Sequence, residues 1–324
     1  MKDNTTSVLL RETYLINSDT PGIQLQLIRK RRRDAGRASS STTLMLIHGA
    51  TFPSESLFDV PVDGASFMDV LATAGFDVWA VDARGYGGST RSAEMAASPL
   101  TASPLTRAEV AARDLASAIE YVLAGNGIER LSVVAMSWGG TVAGIYAEQH
   151  GKYIEKLVLV APLWLSNRPL RIDAGQPLTA WRLIHVDAFR DAWLAGVPAD
   201  RHESVLPAGW FELWATVTTS TDPDAPEPGT IRAPGGAIQD VRENWLANRP
   251  LYNPSAITAP VLLLLAEWDQ DVRVDMMQDL FNRFDNAAHR RSIEIGGGTH
   301  MILMEPGRWQ AFEEIINFLT STGH

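Results

Sequence analysis

The stretch Leu131-Ser-Val-Val-Ala-Met-Ser-Trp-Gly-Gly-Thr141 predicts a strand, a sharp turn and a helix in immediate succession. A serine on such a turn projects its hydroxyl from the end of a sheet, and the N-terminus of the following helix favours developing negative charge. Ala135 and Gly139, two places on either side of Ser137, are small enough for the tight turn. The pattern is A-x-S-x-G, a variant of G-x-S-x-G, and it makes Ser137 a candidate nucleophile.

The composition of the 324 residues suits one large α/β domain or one domain with a sizeable insertion. A formal net charge of −10 argues against nucleic acid or an anionic membrane as the main partner. The chain has no cysteine, which excludes disulfides, thiolate metal sites and a cysteine nucleophile. Nothing resembles a signal peptide or a run of eighteen apolar residues, so we expect a cytoplasmic protein with no membrane span.

A basic run, Arg29-Lys-Arg-Arg-Arg33, departs from the overall acidity. It contains no interleaved aromatic residues and is followed by Asp34 and Gly36. We therefore expect it to lie in a solvated connection after a strand and not to bind nucleic acid.

Strands and helices alternate along most of the chain. Strands are predicted over 8–16, 22–30, 43–47, 76–82, 131–136, 156–161, 259–266 and 291–295. Helices are predicted over 64–74, 107–123, 138–150, 274–286 and 307–320. Unbroken apolar runs suit strands that are covered on both faces, so we expect an α/β fold with a mainly parallel sheet.

The alternation stops at Pro162 and resumes near residue 251. Residues 163–250 contain six of the ten tryptophans, and they predict a helical cap inserted into a core domain of 1–162 and 251–324. A cap rich in tryptophan suggests a hydrophobic or aromatic substrate. We expect its pocket to include Trp164, Trp210 and Trp214.

A serine nucleophile needs a base, normally histidine, and a carboxylate that orients the base. His300 follows the strand 291–295 in Gly296-Gly-Gly-Thr-His300, a loop able to bring the ring over Ser137. Asp269 follows the strand 259–266 by a tight turn and is the preferred acid, ahead of Glu267 and then Asp271.

The attacked carbonyl oxygen also needs hydrogen-bond donors, usually two backbone N–H groups. The turn places the Trp138 N–H, and the second donor should come from the loop His48-Gly49-Ala50-Thr51. Ala50 is preferred because the glycine before it lets the backbone point inward, and Thr51 is the alternative. In the turn 82–89 we expect Asp82 and Arg84 to hold the loop by charge.

The order Ser137, Asp269, His300, with His48-Gly49 ahead and Asp82-x-Arg84-Gly85-x-Gly87-x-Ser89 between, resembles the α/β-hydrolase superfamily over nearly the whole chain. The resemblance implies a mostly parallel eight-stranded sheet flanked by helices. It also implies a Ser-His-Asp triad that needs no metal or other cofactor. The chain departs from the family pattern at Ala135, and it lacks the Gly-Gly-Pro-Gly of proline iminopeptidases, which argues against aminopeptidase activity. Ser137 argues against haloalkane dehalogenases and epoxide hydrolases, which attack with aspartate.

The predicted activity is hydrolysis of a carboxylic ester of a small hydrophobic molecule through an acyl-enzyme. A lactonase, an amidase, a carbon–carbon bond hydrolase and a cofactor-free perhydrolase would use the same triad and stay open as alternatives. A carbon–carbon bond hydrolase would need further polar groups, for which Arg182, Arg201 and Arg242 are candidates. A ligand-binding receptor on the same fold is the alternative that is not an enzyme.

Overall fold

The computed structural model describes residues 8–321 and contains an eight-stranded sheet. The predicted core domain also includes residues 1–7 and 322–324, which lie outside the described residues. The strands are β1 (Leu9–Asn17), β2 (Gln24–Arg32), β3 (Thr43–Ile47), β4 (Asp77–Val81), β5 (Leu131–Met136), β6 (Ile154–Val160), β7 (Trp181–His185), β8 (Thr230–Pro234), β9 (Val261–Ala266) and β10 (Arg290–Ile295).

The large sheet has the strand order β1-β2-β4-β3-β5-β6-β9-β10. From β4 to β10 every neighbouring pair is parallel, whereas β1 and β2 are antiparallel additions at one edge. The carboxyl ends of six strands therefore meet along one edge of the sheet, where side chains from distant segments converge.

Helices cover both faces of this sheet, and four more lie in the segment between β6 and β9. In chain order they are α1 (Ser54–Phe58), α2 (Phe67–Thr73), α3 (Ala108–Asn126), α4 (Trp138–His150), α5 (Phe189–Trp193), α6 (His202–Val205), α7 (Trp210–Ser220), α8 (Gly236–Asp240), α9 (Val274–Arg283) and α10 (Arg308–Thr320). A π-helical turn, Val241–Trp245, follows α8. Among residues 8–321, no helix has both the length and the apolar character needed to cross a bilayer.

The central strand β5 shows why the apolar runs are unbroken. Leu131, Val133 and Ala135 point into the core that α3, α4 and α9 cover. Val134 and Met136 point into the opposite core, which α2 and α10 cover. Because both faces are buried, the residues from Val133 to Met136 are all apolar, and Ser132 is the one polar residue of the strand. The predicted strands and helices of the core are confirmed, with ends that agree within three residues.

The expectation for the basic run is wrong, because residues 29–32 belong to β2. Arg29 pairs with Asp77 at 2.7 Å, and Lys30 pairs with Asp69 at 2.6 Å. The long side chains of arginine and lysine on this strand reach carboxylates on neighbouring strands and helices. Basic residues can therefore be accommodated in a strand of the sheet.

The segment between β6 and β9 is not purely helical, contrary to the prediction. It contains α5 to α8, but β7 and β8 also pair antiparallel, with Trp181 opposite Pro234 and His185 opposite Thr230. More than forty residues separate the two strands in sequence. Their pairing is non-local, so no hairpin turn or regular alternation marks it in the sequence.

The loop after β4 is held by charge, as predicted, but each charged residue has its own partner. Asp82 Oδ1 accepts the Ser54 N–H at 2.8 Å, and its Oδ2 accepts the Gly88 N–H at 3.2 Å. Arg84 pairs with Asp114 at 2.6 Å. These contacts connect the loop to α1 and α3.

Gly139 lets α4 begin hard against the end of β3. A Cβ atom at this position would lie 2.4 Å from the His48 carbonyl oxygen and 2.7 Å from that of Ile47. Both oxygens belong to the backbone at the end of β3, which can shift only at a cost in free energy.

We expect Gly139→Ala to lower the free energy of unfolding by about 1–3 kcal/mol, because the added methyl group overpacks the junction. Gly125→Ala is the matched control, since nothing lies within 4 Å of a Cβ there. That change in α3 should stabilise the fold by about 0.5–1 kcal/mol. Urea denaturation of both variants measures the difference, and equal stability would contradict this account of the junction.

Candidate active site

Ser137 occupies a strained turn between β5 and α4. Its backbone angles are φ 57° and ψ −123°, a region that residues other than glycine rarely adopt. The Ser137 N–H donates to the Val160 carbonyl at 2.9 Å. The Ser137 carbonyl accepts the N–H groups of Gly140 at 2.9 Å and Leu163 at 3.2 Å. Neighbouring backbone therefore holds the turn on both sides, with the side chain at the carboxyl end of the sheet.

Asp269 and His300 meet at the ends of β9 and β10. The His300 Nδ1 lies 2.8 Å from Asp269 Oδ2. Asp269 Oδ1 accepts the N–H groups of Asp271 and Val272, both at 2.8 Å. An ionised carboxylate only accepts hydrogen bonds, so Nδ1 carries the ring proton. Nε2 is then the nitrogen of His300 that remains able to accept a proton.

The pKa of His300 reflects two opposing influences. Burial lowers it, but the charge of Asp269 and the hydrogen bond to it prevail and raise the pKa to about 9. The exposed fraction is 17% for the His300 side chain and 0% for that of Asp269. Burial raises the pKa of Asp271, which also lies beside the ring. The imidazolium form of His300 is thus stabilised by this site.

Ser137 and His300 line one cavity of about 240 Å³. No hydrogen bond joins their side chains among the described residues, and such contacts are often long in unliganded sites. Four larger clefts, of about 350, 490, 770 and 860 Å³, include neither residue. The smaller cavity is the one that brings predicted site residues together.

The loop after β3 presses against the turn at Ser137. A Cβ atom on Gly49 would lie 3.2 Å from Ser137 Cβ. His48 Nε2 accepts the Ala83 N–H at 3.1 Å, so its Nδ1 carries the proton and donates to the Gly49 carbonyl at 2.7 Å. A planar trans peptide then points the Ala50 N–H away from His48.

The peptide group between Ala50 and Thr51 is held by its carbonyl oxygen, which accepts two hydrogen bonds. Tyr86 Oη and Arg182 Nη2 each donate to it at 2.8 Å. Within residues 8–321 we find no acceptor for the N–H groups of Ala50, Thr51 or Trp138. Ala50 and Thr51 line the cavity with Ser137, whereas Trp138 is not part of its wall.

The three tryptophans predicted for the pocket do not line this cavity, contrary to the expectation. Trp164 and Trp214 are fully buried, and their indole N–H groups donate to Asp279 and to the Ser56 carbonyl. Trp210 is also absent from the cavity wall. Their large apolar rings pack against other side chains. The sequence alone does not distinguish a tryptophan in this role from one that contacts substrate.

Other residues, which sequence reasoning left largely unassigned, form the wall. Its apolar part consists of Phe52, Leu57, Met136, Leu163, Ile172, Ile184, Phe189, Ala192 and Met301. Arg171, Arg182 and Asp271 supply charges. The alternative acid Glu267 is exposed and accepts the Gly297 N–H at 2.8 Å, so it lies apart from His300.

Glu305 connects the inserted segment to the loop that carries His300. Its Oε1 accepts the Trp193 Nε1–H at 2.8 Å and the Thr299 hydroxyl, and its Oε2 accepts the Thr299 N–H at 2.9 Å. Burial prevails over these hydrogen bonds and raises the pKa of Glu305 to about 7. No motif in the sequence points to this residue.

Residues 42–306 match the family described as alpha/beta hydrolase fold. A serine hydrolase from Cycloclasticus zankles has a TM-score of 0.67 and 15% identity, covering 95% of this chain and 98% of that one. A bromoperoxidase from Bacillus anthracis has a TM-score of 0.65 and 17% identity, with coverage of 96% and 100%. The 2-hydroxy-6-oxo-6-phenylhexa-2,4-dienoate hydrolase from a Rhodococcus species has a TM-score of 0.61 and 15% identity, with coverage of 97% and 99%. At such identities these three likenesses show the fold alone.

Glu305 predicts a pH dependence of stability. Its folded pKa of about 7 exceeds the ordinary value of 4.5, so the folded state binds more protons between the two. Its contribution to the free energy of unfolding should fall by about 1–3 kcal/mol as pH rises from about 4.5 to 7. Glu305→Gln should remove that slope, whereas Glu313→Gln, exposed on α10, should keep it. Denaturation at several pH values tests this, and an unchanged slope in Glu305→Gln would refute it.

Proposed function

Since this chain belongs to the alpha/beta hydrolase family, we propose that it is a serine hydrolase that cleaves a carboxylic ester of a small hydrophobic molecule. One observation carries the proposal. Ser137, on a strained turn, shares a cavity with His300, and Asp269 binds the far nitrogen of that ring. This arrangement suits attack by a serine hydroxyl that histidine activates.

In the proposed mechanism, His300 Nε2 takes the Ser137 proton while the serine oxygen attacks the ester carbonyl. The N–H groups of Ala50 and Trp138 hold the oxyanion, and each such donor is worth about 3 kcal/mol. The intermediate collapses, the alcohol leaves with the proton from His300, and an acyl-enzyme remains. Water activated by His300 then releases the acid and restores Ser137.

Asp269 would orient His300 and stabilise its charged form during both steps. Its own position is secured by the two backbone N–H donors to Oδ1, so the ring is held by a group that cannot easily rotate. The N-terminus of α4, directly after Ser137, adds a partial positive charge beneath the oxyanion.

We assign the cap role to residues 163–250. They supply about two fifths of the cavity wall, namely Leu163, Arg171, Ile172, Arg182, Ile184, Phe189 and Ala192. Because these side chains line the cavity that contains Ser137, this segment would gate access to the nucleophile. The largely aliphatic wall supports a hydrophobic acyl or alcohol group in place of the aromatic one suggested by the tryptophans.

A carbon–carbon bond hydrolase is the second candidate, and one observation favours it. Of the three arginines considered for such chemistry, Arg182 lines the cavity, whereas Arg201 and Arg242 do not. A receptor that binds without turnover would keep the same cavity. Ester turnover that depends on Ser137 would separate a hydrolase from such a receptor.

We expect the protein to hydrolyse p-nitrophenyl acetate and butyrate and Ser137→Ala to lower kcat by about 10³-fold or more, since the nucleophile is lost. Ser220→Ala, exposed at the end of α7, is the control and should behave as wild type. Stopped-flow absorbance measures turnover and any acyl-enzyme burst. Equal rates in wild type and Ser137→Ala would eliminate the proposal.

The pH profile follows from the raised pKa of His300. The base must be neutral, so kcat/KM should rise with pH until it levels near the pKa of about 9. Asp269→Asn should shift the rise of kcat/KM to lower pH, because the carboxylate that favours the imidazolium form of His300 is gone. The same change should lower kcat by about 10³- to 10⁴-fold. Initial rates from pH 6 to 10 test this. A flat profile in the wild type would contradict the role given to His300.

A further inference from the structure

Arg182 stands on β7, and its guanidinium reaches the cavity that contains Ser137. Its Nη2 donates to the Ala50 carbonyl at 2.8 Å and lies 3.4 Å from Thr51 Oγ1. The cation is thus placed beside the loop proposed to hold the oxyanion.

No carboxylate lies within ion-pair distance of Arg182 among residues 8–321, and its buried Nε has no hydrogen-bond partner there. Three other arginines of the inserted segment are paired. Arg232 binds Asp222 and Arg242 binds Asp173, each at 2.6 Å, and Arg190 binds Glu212 at 2.9 Å. Arg182 therefore differs from these three in facing the cavity without a counterion.

Two other charged residues line the cavity. Asp271 lies beside His300, and the charge of Arg171, which also makes no ion pair within 4 Å among residues 8–321, acts on both of them. No carboxylate contributes to the pKa of Arg182, and burial lowers that pKa. Arginine nevertheless stays protonated in proteins, so a half-buried positive charge remains here without a negative partner. A ligand that brings one negative charge would relieve this.

We propose that Arg182 binds a carboxylate group of the substrate, so that the ester cleaved at Ser137 belongs to a molecule that also carries a free carboxylate. The planar guanidinium offers parallel N–H donors that match a carboxylate in two-point binding. The cavity holds only about 240 Å³ and is otherwise mainly apolar, which fits a short hydrocarbon segment between the two groups. This substrate class rests on the proposed serine hydrolase function.

Two matched substrate pairs test the assignment. The first is 4-nitrophenyl hydrogen adipate against 4-nitrophenyl hexanoate, with the charge on the acyl side. The second is 4-acetoxybenzoate against phenyl acetate, with the charge on the alcohol side. In at least one pair the wild type should prefer the anion, and Arg182→Met should lower that preference about 10- to 100-fold, as expected for a charged hydrogen bond.

The ratio within a pair separates substrate binding from a structural role. If Arg182 only positioned the Ala50 carbonyl, Arg182→Met would slow both esters equally and leave the ratio unchanged, which would overturn the proposal. Arg182→Lys keeps the charge and should retain part of the preference. Arg190→Met, an exposed arginine of the same segment, should keep it fully.

A binding measurement keeps the inference testable if no ester is cleaved. Calorimetry on Ser137→Ala with the monoanilide of adipic acid and with hexananilide compares an anionic and a neutral analogue. Tighter binding of the anion, lost in Ser137→Ala/Arg182→Met, would support the carboxylate site even if the hydrolase proposal failed. Equal binding of the two analogues would refute it.

Discussion

The strained backbone turn at Ser137 is the constraint on which the rest of the site depends. A positive φ at a serine is unfavourable and persists only because the hydrogen bonds to β6 and to the following segment leave no alternative. The turn lets α4 begin directly at the sheet, which requires glycine at position 139. It also allows the loop after β3 to approach Ser137 so closely that position 49 has no room for a side chain without movement.

The charged side chains of the site differ in the partners that they have. Asp269 is surrounded by donors, and Glu305 is buried but accepts three hydrogen bonds. Both therefore hold loops in place. Arg182 supports a backbone carbonyl but lacks a negative partner among the described residues. A group kept charged at a cost, in a cavity beside a nucleophile, is explained most directly by the ligand.

The sequence was sufficient for the central strands of the sheet because β3, β4, β6 and β9 are short, mainly apolar runs. The meeting of Asp269 with His300 was also predictable, since parallel strands bring their carboxyl ends to one edge. The structure of the inserted segment was not predictable. The pairing of β7 with β8 is non-local, so the position of Arg182 in the cavity had no local signal. The tryptophans misled because a large buried ring has the same sequence signature in a core as in a pocket.

The most direct test of the central claim is covalent labelling with a fluorophosphonate, read by intact mass and peptide mapping. A serine activated by His300 should gain one adduct, located on Ser137, and the labelling rate should fall sharply in Asp269→Asn. An unlabelled protein, or an adduct on another residue, would contradict the claim that this turn carries an activated nucleophile.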